Sequence, residues 1–531
     1  MRTYLLLLLM AGSTSLGAKK IKLLVLDSPS GMVQVRVMVQ AGSAYDPPGL
    51  EGLAALTAEM LIEGGFGPPG EPVTKERLAE ITRPWGSAAR PNVRVEKETS
   101  TFRFTVPLEA FEEYAARIMK PMFTQPLFAT EELDRLRKET HVYIESTLRL
   151  ENTELLGLYA LDNYIHEGTP YGHLPEGTVQ GVGAVAVGDL QRFYRSYYTA
   201  KNITVGVSTS DQQVHALIQD ALSRVGRGIK AKKLRAPKAS AAPAITGRQL
   251  LIVSQPTTIA TGIHLGFPIQ VGRQDPDYWP LYVVNVAFGT HRDSFGRLYS
   301  DIRNARGYNY GDYSYIEWFQ SRPFALFPPP NVPRREQYFS IWIRPVAHEY
   351  AHHITKAATW ELEHLIADGL TAAQVEQAKN KAKVLYLNLA ETAGRLLSYR
   401  MDDDFYGLDQ GYLDDYLRAI DRVTVDQANS AIRRHLQSAH LKYVIVTDEE
   451  WASRLAEDIA AGSNAKGKGP AEYNLEGHEE NGELVYDIPP EMEEIISQDQ
   501  EWENHPLNIP AGNIRVVSSK QLFENARLIE P

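Results

Sequence analysis

The sequence contains no cysteine, which excludes disulfide bonds and thiolate metal sites. It also lacks any apolar run approaching the roughly 18 residues that a membrane-spanning helix requires, so no membrane span is expected. Basic clusters of the kind that bind nucleic acid are missing as well, and no nucleic-acid partner is expected. The net charge is −11, and residues 461–531 hold 14 acidic and 5 basic side chains, so the rest of the chain is nearly neutral.

The N-terminus has the parts of a secretory signal peptide. One arginine precedes the apolar run Leu5–Met10, and small residues surround Ser15 and Gly17. This run is too short to cross a bilayer, and cleavage after Gly17 would place small residues at both specificity positions. We therefore expect a signal peptide over residues 1–17 and a periplasmic or secreted mature protein, which agrees with the absence of cysteine.

The mature chain contains two similar halves. LLVLDSP at 23–29 is echoed by LLIVSQP at 250–256, and each is followed by an alternating pattern that predicts a strand. Between the halves, residues 228–245 are rich in Ala, Lys and Pro and lack apolar periodicity, as in an exposed linker. The predicted organisation is a domain at 18–227, a linker at 228–247, a second domain at 248–450 and an acidic extension at 451–531.

Within each half, alternating strands are interleaved with long amphipathic helices. Such runs favour an α+β fold with two similar sandwich domains, each a largely antiparallel sheet with helices packed on one face. The acidic extension contains short β-prone runs at 484–488 and 514–517. Two alternatives remain open for it: a segment docked on the body, or a disordered tail.

Three stretches, in their order and spacing, resemble the pitrilysin/insulinase family of zinc peptidases, in the two-domain branch that includes mitochondrial processing peptidase. They are the helix frame around residues 52–61, HEGTPYGH at 166–173 and RNARGYNY at 303–310. The resemblance covers about residues 22–446. It implies two similar domains that close like a clamshell around a peptide chamber.

In that family, the helix that corresponds to residues 52–61 carries H-x-x-E-H. Its two imidazoles bind zinc, and its glutamate takes a proton from the metal-bound water. Here the two histidine positions are Ala55 and Glu59, and the glutamate position is Ala58. Alanine can neither bind zinc nor accept a proton, so zinc catalysis at this site is not expected. Apolar residues at helical spacing instead predict a buried stripe, as in a core helix: Leu53, Leu56, Met60 and Leu61.

The resemblance places the family's third zinc ligand on the helix near residues 131–145, where Glu139 and Glu145 are both candidates. Without the two histidines, neither glutamate can complete a zinc site. An ordinary charged helix face is the alternative interpretation. No cofactor is expected in this chain, and zinc is expected in a partner subunit.

The second half retains the family's other signature, a helix ending R-x-x-R-G followed by a strand. Gly307 predicts the end of the helix, and the tyrosines from 308 to 315 predict the strand. In the family, an arginine and a tyrosine seven residues apart face the zinc and donate hydrogen bonds to the substrate backbone and its developing oxyanion. Arg303 and Tyr310 have this spacing, although residue types alone would also suit a solvated arginine and a half-buried strand tyrosine. Arg306 is expected to be structural or to contact the substrate backbone.

Two further features bear on the site. HEYAH at 348–352 matches the H-E-x-x-H pattern of another peptidase class, but no third ligand follows at the spacing of that class, so zinc at His348 and His352 remains an alternative. The family also binds substrate as an added strand on the edge of the first sheet, and the corresponding segment is predicted at 85–94. Pro91 would remove one backbone donor from that edge and weaken this mode of binding.

These features predict the non-catalytic subunit of a heterodimeric zinc peptidase. The partner would be a homologous subunit that carries H-x-x-E-H and the zinc ion, and the substrates would be peptides. Arg303 and Tyr310 would complete the partner's site. The alternative is a pseudoenzyme that serves as a scaffold or peptide-binding assembly module, as the processing-peptidase-like core subunits of respiratory complexes do.

Overall fold

The computed structural model describes residues 20–226, 245–319, 332–470 and 488–528 except 29 and 257, together with 237, 473, 477–480 and 483–486. The expected signal peptide and most of the expected linker lie outside the described residues. Among the helices that the structure describes, none is both long and apolar enough to cross a membrane.

The first domain combines one sheet with a layer of helices. Its strands are β1 (Lys22–Val25), β2 (Met32–Val39), β3 (Asn92–Val95), β4 (Ser100–Pro107) and β5 (Ile203–Val207). Its helices are α1 (Leu53–Glu63), α2 (Lys75–Thr82), α3 (Phe111–Tyr114), α4 (Lys120–Thr124), α5 (Thr130–Val142), α6 (Thr153–Ile165), α7 (Val179–Ala184), α8 (Val187–Tyr197) and α9 (Gln212–Leu222). Two π-helical turns, Ala115–Met119 and Tyr143–Glu151, follow α3 and α5.

The second domain has the same kind of elements. Its strands are β6 (Gln249–Ser254), β7 (Thr261–Ile269), β8 (Asp312–Tyr315), β9 (Gln337–Val346) and β10 (Lys442–Thr447). Its helices are α10 (Tyr278–Gly289), α11 (Ala351–Asp368), α12 (Ala372–Leu389), α13 (Ala393–Tyr406), α14 (Tyr412–Arg422), α15 (Val425–His435) and α16 (Glu449–Ala461). A π-helical turn, Tyr299–Asn304, precedes β8.

The C-terminal extension adds a hairpin, β11 (Gly477–Glu480) with β12 (Glu483–Tyr486), then helix α17 (Pro490–Asn504) and strand β13 (Ile514–Ser518). Helix α17 packs on α11, and β13 pairs in parallel with β6. Of the two alternatives for the extension, residues 488–528 adopt the docked one. Its β-prone run at 514–517 lies within β13.

The two sheets repeat one topology. The first has the strand order β1-β5-β2-β4-β3, and the second has β6-β10-β7-β9-β8 with β13 added beside β6. In each, the first two strands of the repeat are parallel and the later neighbours antiparallel. The predicted α+β class with two similar, largely antiparallel domains is therefore confirmed.

Each sheet also receives a helix from the other domain, which the sequence did not predict. Helix α6 covers β7, β9 and β10, and α13 covers β1, β2 and β5, on the faces opposite each domain's own helices. The approach of α13 is close: a Cβ at Gly206 of β5 would lie 2.8 Å from the Met401 sulfur. The exchange brings the two domains together as one packed unit.

Candidate functional site

Helix α1 carries the degenerate zinc-motif positions. It begins after Gly52, which has a φ of 108° and packs so closely that a Cβ would lie 2.8 Å from the Glu176 carbonyl oxygen. Ala58 is fully buried, whereas Ala55 and Glu59 are partly accessible. The predicted buried stripe is confirmed, since each of its members is at most 3% exposed: Leu53, Leu56, Met60 and Leu61.

A cavity of about 370 Å³ opens beside Glu59. Its walls come from α1, α5 and the loop before α7, and the lining residues are Glu59, Glu63, Lys75, Arg135, Leu136, Glu139, Thr140, Tyr143 and Glu176. A second cavity of about 320 Å³ is also lined by Glu59 and Glu63, together with the start of β3 and the residues that lead into it. Glu59 therefore lines both cavities.

Most of the charge in the first cavity is neutralised within the chain. Glu63 forms ion pairs with Lys75 at 3.0 Å, Arg90 at 2.8 Å and Arg135 at 2.9 Å. Although burial alone would raise it, hydrogen bonds from Lys75 and Arg90 hold the pKa of Glu63 below its ordinary value. Arg135 also binds Glu139 at 2.7 Å, so one guanidinium serves carboxylates on both α1 and α5.

Glu59 has no ion pair among the described residues. Burial, together with repulsion from Glu63 and Glu139, raises its pKa to about 7. Burial also raises the pKa of Glu176 to about 7, and its Oε2 is buried without a hydrogen-bond partner in the described part of the chain. Glu59 and Glu176 are thus the carboxyls of the cavity that form no ion pair in the described part of the chain.

The residues around Glu59 do not fit a zinc ion. A zinc site needs at least three protein ligands, and at the motif positions Ala55 and Ala58 offer no donor atom. Glu139 is engaged by Arg135, whose fixed positive charge would repel a metal. Glu145, the other candidate ligand, is exposed and does not line the cavity. Across the described residues, no group of three His, Cys, Asp or Glu side chains is arranged to hold a metal.

Arg303 lies in the π-helical turn Tyr299–Asn304 and is half-buried. Its guanidinium stands 5.8 Å from the ring centroid of Tyr299, and its buried Nε finds no hydrogen-bond partner in the described residues. Tyr310 is 77% exposed. Neither side chain forms an ion pair or a hydrogen bond in the described residues, and neither lines the two cavities beside Glu59.

The prediction that a strand begins at Tyr308 is wrong, because β8 begins at Asp312. Gly307 does end the helix, with a φ of 72°. Tyr308 then turns aside to pack on Tyr350, and the Asn309 side chain donates to Asp312 and to a backbone carbonyl of β9. These contacts hold Tyr310 in an exposed turn instead of a strand.

The segment around Arg303 and the wall of the first cavity meet at one hydrophobic cluster. Tyr299 packs against this cluster from the second domain, and Tyr143, which lines the cavity, packs against it from the first. Trp342 and Tyr313 of the second sheet lie within it. The two halves of the predicted site are thus anchored on a common core.

Arg306 has a structural role, one of the two roles expected for it. Its Nε donates to the Asp499 carboxylate at 2.6 Å, and its guanidinium lies 4.0 Å from the ring centroid of Trp502. Both partners belong to α17 and are buried. Arg303 and Arg306, three residues apart, therefore differ in that only Arg306 is fully engaged.

The histidines of HEYAH face different surroundings. His348 contacts the hydroxyls of Thr261 and Thr447, each at 2.9 Å. His352 is buried, and burial with the nearby Lys356 lowers its pKa to about 4. Since no third ligand lies beside them in the described residues, this pair does not form a zinc site.

The edge strand is shorter than the segment predicted at 85–94. Residues 87–89 form a 3₁₀ turn, and β3 spans only Asn92–Val95. Pro91 precedes the strand, so its missing N–H lies outside β3. The edge of the first sheet beside the second cavity therefore keeps its backbone donors.

Sequence reasoning missed Arg135 and Glu176. Arg135 lies four residues before Glu139 on α5, a spacing that places both on one helix face, so this pair could have been recognised. Glu176 lies in the irregular loop after HEGTPYGH and becomes part of the cavity only because that loop packs on Gly52. No local pattern marks it.

Two family models match the chain. Residues 23–155 match the insulinase family (peptidase family M16), and residues 184–382 match the peptidase M16 inactive domain. The second match covers the end of the first domain and most of the second, including the R-x-x-R-G stretch.

The chain is also similar to curated proteins and to solved structures. An uncharacterized zinc protease of Streptomyces coelicolor is 26% identical over 289 residues, which are 54% of this chain and 59% of the relative. The chain thus spans under two thirds of that relative. A crystal structure of a peptidase M16 inactive domain from Pseudomonas fluorescens has a TM-score of 0.68 at 21% identity, covering 81% of this chain and 96% of that one. A chain of complex III2 from Candida albicans has a TM-score of 0.59 at 13% identity, covering 83% and 100%.

Proposed function

Because this chain belongs to the insulinase family of peptidases (peptidase family M16), we propose that it is the non-catalytic subunit of a periplasmic zinc peptidase heterodimer. A homologous partner with an intact H-x-x-E-H motif would bind the zinc ion. This chain would supply Arg303 and Tyr310 to peptide binding and to stabilisation of the transition state.

One observation carries the proposal. The metal-binding positions have been lost on α1, while the side chains of Arg303 and Tyr310 form no ion pair or hydrogen bond in the described part of the chain: the Nε of Arg303 is unpaired there, and Tyr310 is 77% exposed. An arginine that leaves its Nε buried and unpaired gives up the free energy of a hydrogen bond. The Nη groups of Arg303 and the exposed Tyr310 hydroxyl would be the atoms that donate to substrate carbonyls.

The chemistry suits two fixed donors. In peptide hydrolysis the scissile carbonyl oxygen gains negative charge, and a guanidinium and a phenol can both donate hydrogen bonds to it or to neighbouring carbonyls. Loss of one such donor typically lowers kcat about 10²- to 10³-fold. The zinc-bound water would be supplied entirely by the partner.

The test begins with capture of the partner. The mature chain, tagged at its C-terminus, is used to isolate bound proteins from periplasmic extract, and a homologue with H-x-x-E-H is then co-expressed with it. Hydrolysis of a fluorogenic peptide library is measured for each chain and for the mixture. We expect activity only in the mixture, and we expect chelator to abolish it.

Arg303→Ala and Tyr310→Phe are then introduced into the mixture. Each should lower kcat about 10²-fold, whereas Arg433→Ala, at an exposed arginine on α15, should leave it unchanged. Chelator-sensitive hydrolysis by this chain alone would contradict the proposal. A stable complex that binds peptides without hydrolysing them would instead favour a scaffold or assembly module.

A further inference from the structure

The C-terminal extension contacts the segment that carries Arg303. Besides Asp499 and Trp502, Arg306 binds the Ile495 carbonyl at 3.1 Å and the Gln498 side chain at 2.8 Å, all on α17. Its Nη1 also donates to the Asp301 carbonyl at 2.6 Å, inside the π-helical turn. Through Arg306, α17 therefore holds the turn on which Arg303 stands.

Helix α17 is fixed in turn on α11. His353 contacts the Glu503 carboxylate at 3.0 Å, and Lys356 donates to the Glu503 carbonyl at 2.7 Å. Trp502 is completely buried between these helices. The chain then continues into β13, whose parallel pairing with β6 spans Ile514–Ser518.

Beyond β13, the extension reaches the first domain. Arg149 donates to the Leu522 carbonyl at 2.8 Å and pairs with Glu524 at 3.1 Å. The backbone N–H of Val179 donates to the Phe523 carbonyl at 3.1 Å. Leu522 and Phe523 are both buried.

These first-domain contacts fall on two segments that also supply lining residues of the cavity beside Glu59. Arg149 belongs to the π-helical turn that starts at Tyr143, a lining residue, and Val179 begins α7, three residues after Glu176, another lining residue. The same extension thus contacts the turn of Arg303 through α17 and, through residues 522–524, two segments that help to form the cavity.

We propose that residues 488–528 form an interdomain strap, in which Arg306, Trp502 and Arg149 are positioning residues that set where Arg303 stands relative to the cavity. The role of Arg303 in this statement rests on the proposed function. The strap can be tested without measuring activity. It should narrow the distribution of distances between the two domains and protect the amides of residues 299–307 from hydrogen exchange.

The absence of cysteine allows a clean measurement on the full chain. Glu109→Cys and Gln377→Cys, both at exposed positions, place one spin label in each domain without background labelling. Pulsed dipolar spectroscopy then gives the interdomain distance distribution. Arg149→Met keeps the apolar stem and removes the contacts to Leu522 and Glu524, and Lys520→Ala, at an exposed position of the strap, is the matched control.

We expect one narrow distribution in the parent and in Lys520→Ala, and a distribution about twice as broad in Arg149→Met. Hydrogen exchange is measured in parallel. Trp502→Ala should accelerate exchange of the amides of residues 299–307 about tenfold and leave those of β2 unchanged. Unchanged widths in Arg149→Met together with unchanged exchange in Trp502→Ala would overturn the strap.

If Trp502→Ala loses its far-ultraviolet circular dichroism, that variant is unfolded, and the distance distribution of Arg149→Met alone tests the strap. Activity of the mixed complex separates the two proposals. A broadened distance with unaltered hydrolysis would uphold the strap and count against a role for Arg303. Unaltered distance widths and unaltered exchange, with hydrolysis that depends on Arg303, would overturn the strap and leave the proposed function standing.

Discussion

Asp162 of α6 and Arg334, which precedes β9, form a buried ion pair at 3.0 Å that joins the two domains. Lys97 contacts the other carboxylate oxygen at 3.3 Å, and the second guanidinium nitrogen of Arg334 lies 2.8 Å from His166. Burial raises the pKa of Asp162, but Arg334 and Lys97 outweigh it and hold the pKa below its ordinary value. His166 belongs to HEGTPYGH, so this stretch helps to build the domain interface.

The first prediction concerns this pair. Asp162→Asn would leave Arg334 and Lys97 buried without a countercharge, and loss of one partner of a buried pair costs about 3–5 kcal/mol. We expect that loss in the free energy of unfolding by urea at pH 7. Asp409→Asn, at an exposed aspartate, should change it by less than about 0.5 kcal/mol. A loss below about 1 kcal/mol in Asp162→Asn would show that the pair does not hold the interface.

The second prediction is a pH dependence from Glu59. Its pKa is about 7 in the folded chain against 4.5 as the ordinary value, so between these values the folded state binds the proton and the unfolded state does not. Its contribution to stability therefore falls as pH rises from about 4.5 to 7, and is constant above that.

Glu59→Gln removes this effect. The variant should nearly match the parent at pH 4.5 and exceed it by about 3 kcal/mol at pH 8, measured by urea unfolding at both values. Glu109→Gln, at an exposed position, should show no such change with pH. Equal stability of Glu59→Gln and the parent at pH 8 would mean that the carboxyl is well solvated.

The third prediction concerns zinc. Ligand at 100 times its dissociation constant stabilises a protein by about 2.7 kcal/mol, so a zinc site would raise the melting temperature by several degrees. Ala55 and Ala58 offer no donor atom, and Glu139 is ion-paired with Arg135. We therefore expect the melting temperature to stay the same when zinc is added and when chelator is added. His352→Ala is the control for the HEYAH stretch. A zinc-dependent rise that His352→Ala abolishes would instead establish a site there.

Much of the fold was accessible from the sequence, because strand alternation and the repeated LLVLDSP and LLIVSQP stretches are local signals. The packing of α6 and α13 on the sheet of the other domain could not be predicted, because it depends on contacts between distant residues. Gly206 and Met401, for example, are almost 200 positions apart. The same holds for the candidate site. The missing zinc-binding residues at Ala55 and Ala58 could be recognised from the sequence, whereas Arg135 and Glu176 line the cavity only because of tertiary packing.

The start of β8 shows how local pattern can mislead. Tyrosines at alternate positions favour a strand, but Tyr308 packs on Tyr350 and the Asn309 side chain donates to Asp312 instead. Tyr310 is left exposed as a result. A residue that donates to a substrate must be accessible, so the departure from the strand pattern falls at the position proposed to function.

The last prediction separates the two arginines of R-x-x-R-G by stability alone. Arg306→Ala would leave the Asp499 carboxylate, which is 1% exposed, without its closest cation and would strip Trp502 of its stacked guanidinium. His353 and the Tyr473 hydroxyl still contact Asp499, so the expected loss is about 3 kcal/mol, at the lower end for a broken buried pair. Arg303→Ala breaks no ion pair among the described residues and should cost less than about 0.5 kcal/mol. Urea unfolding of both variants at pH 7 is the measurement. Similar losses in the two variants would place Arg303 in the structure of the turn and remove the basis for its role in a partner's site.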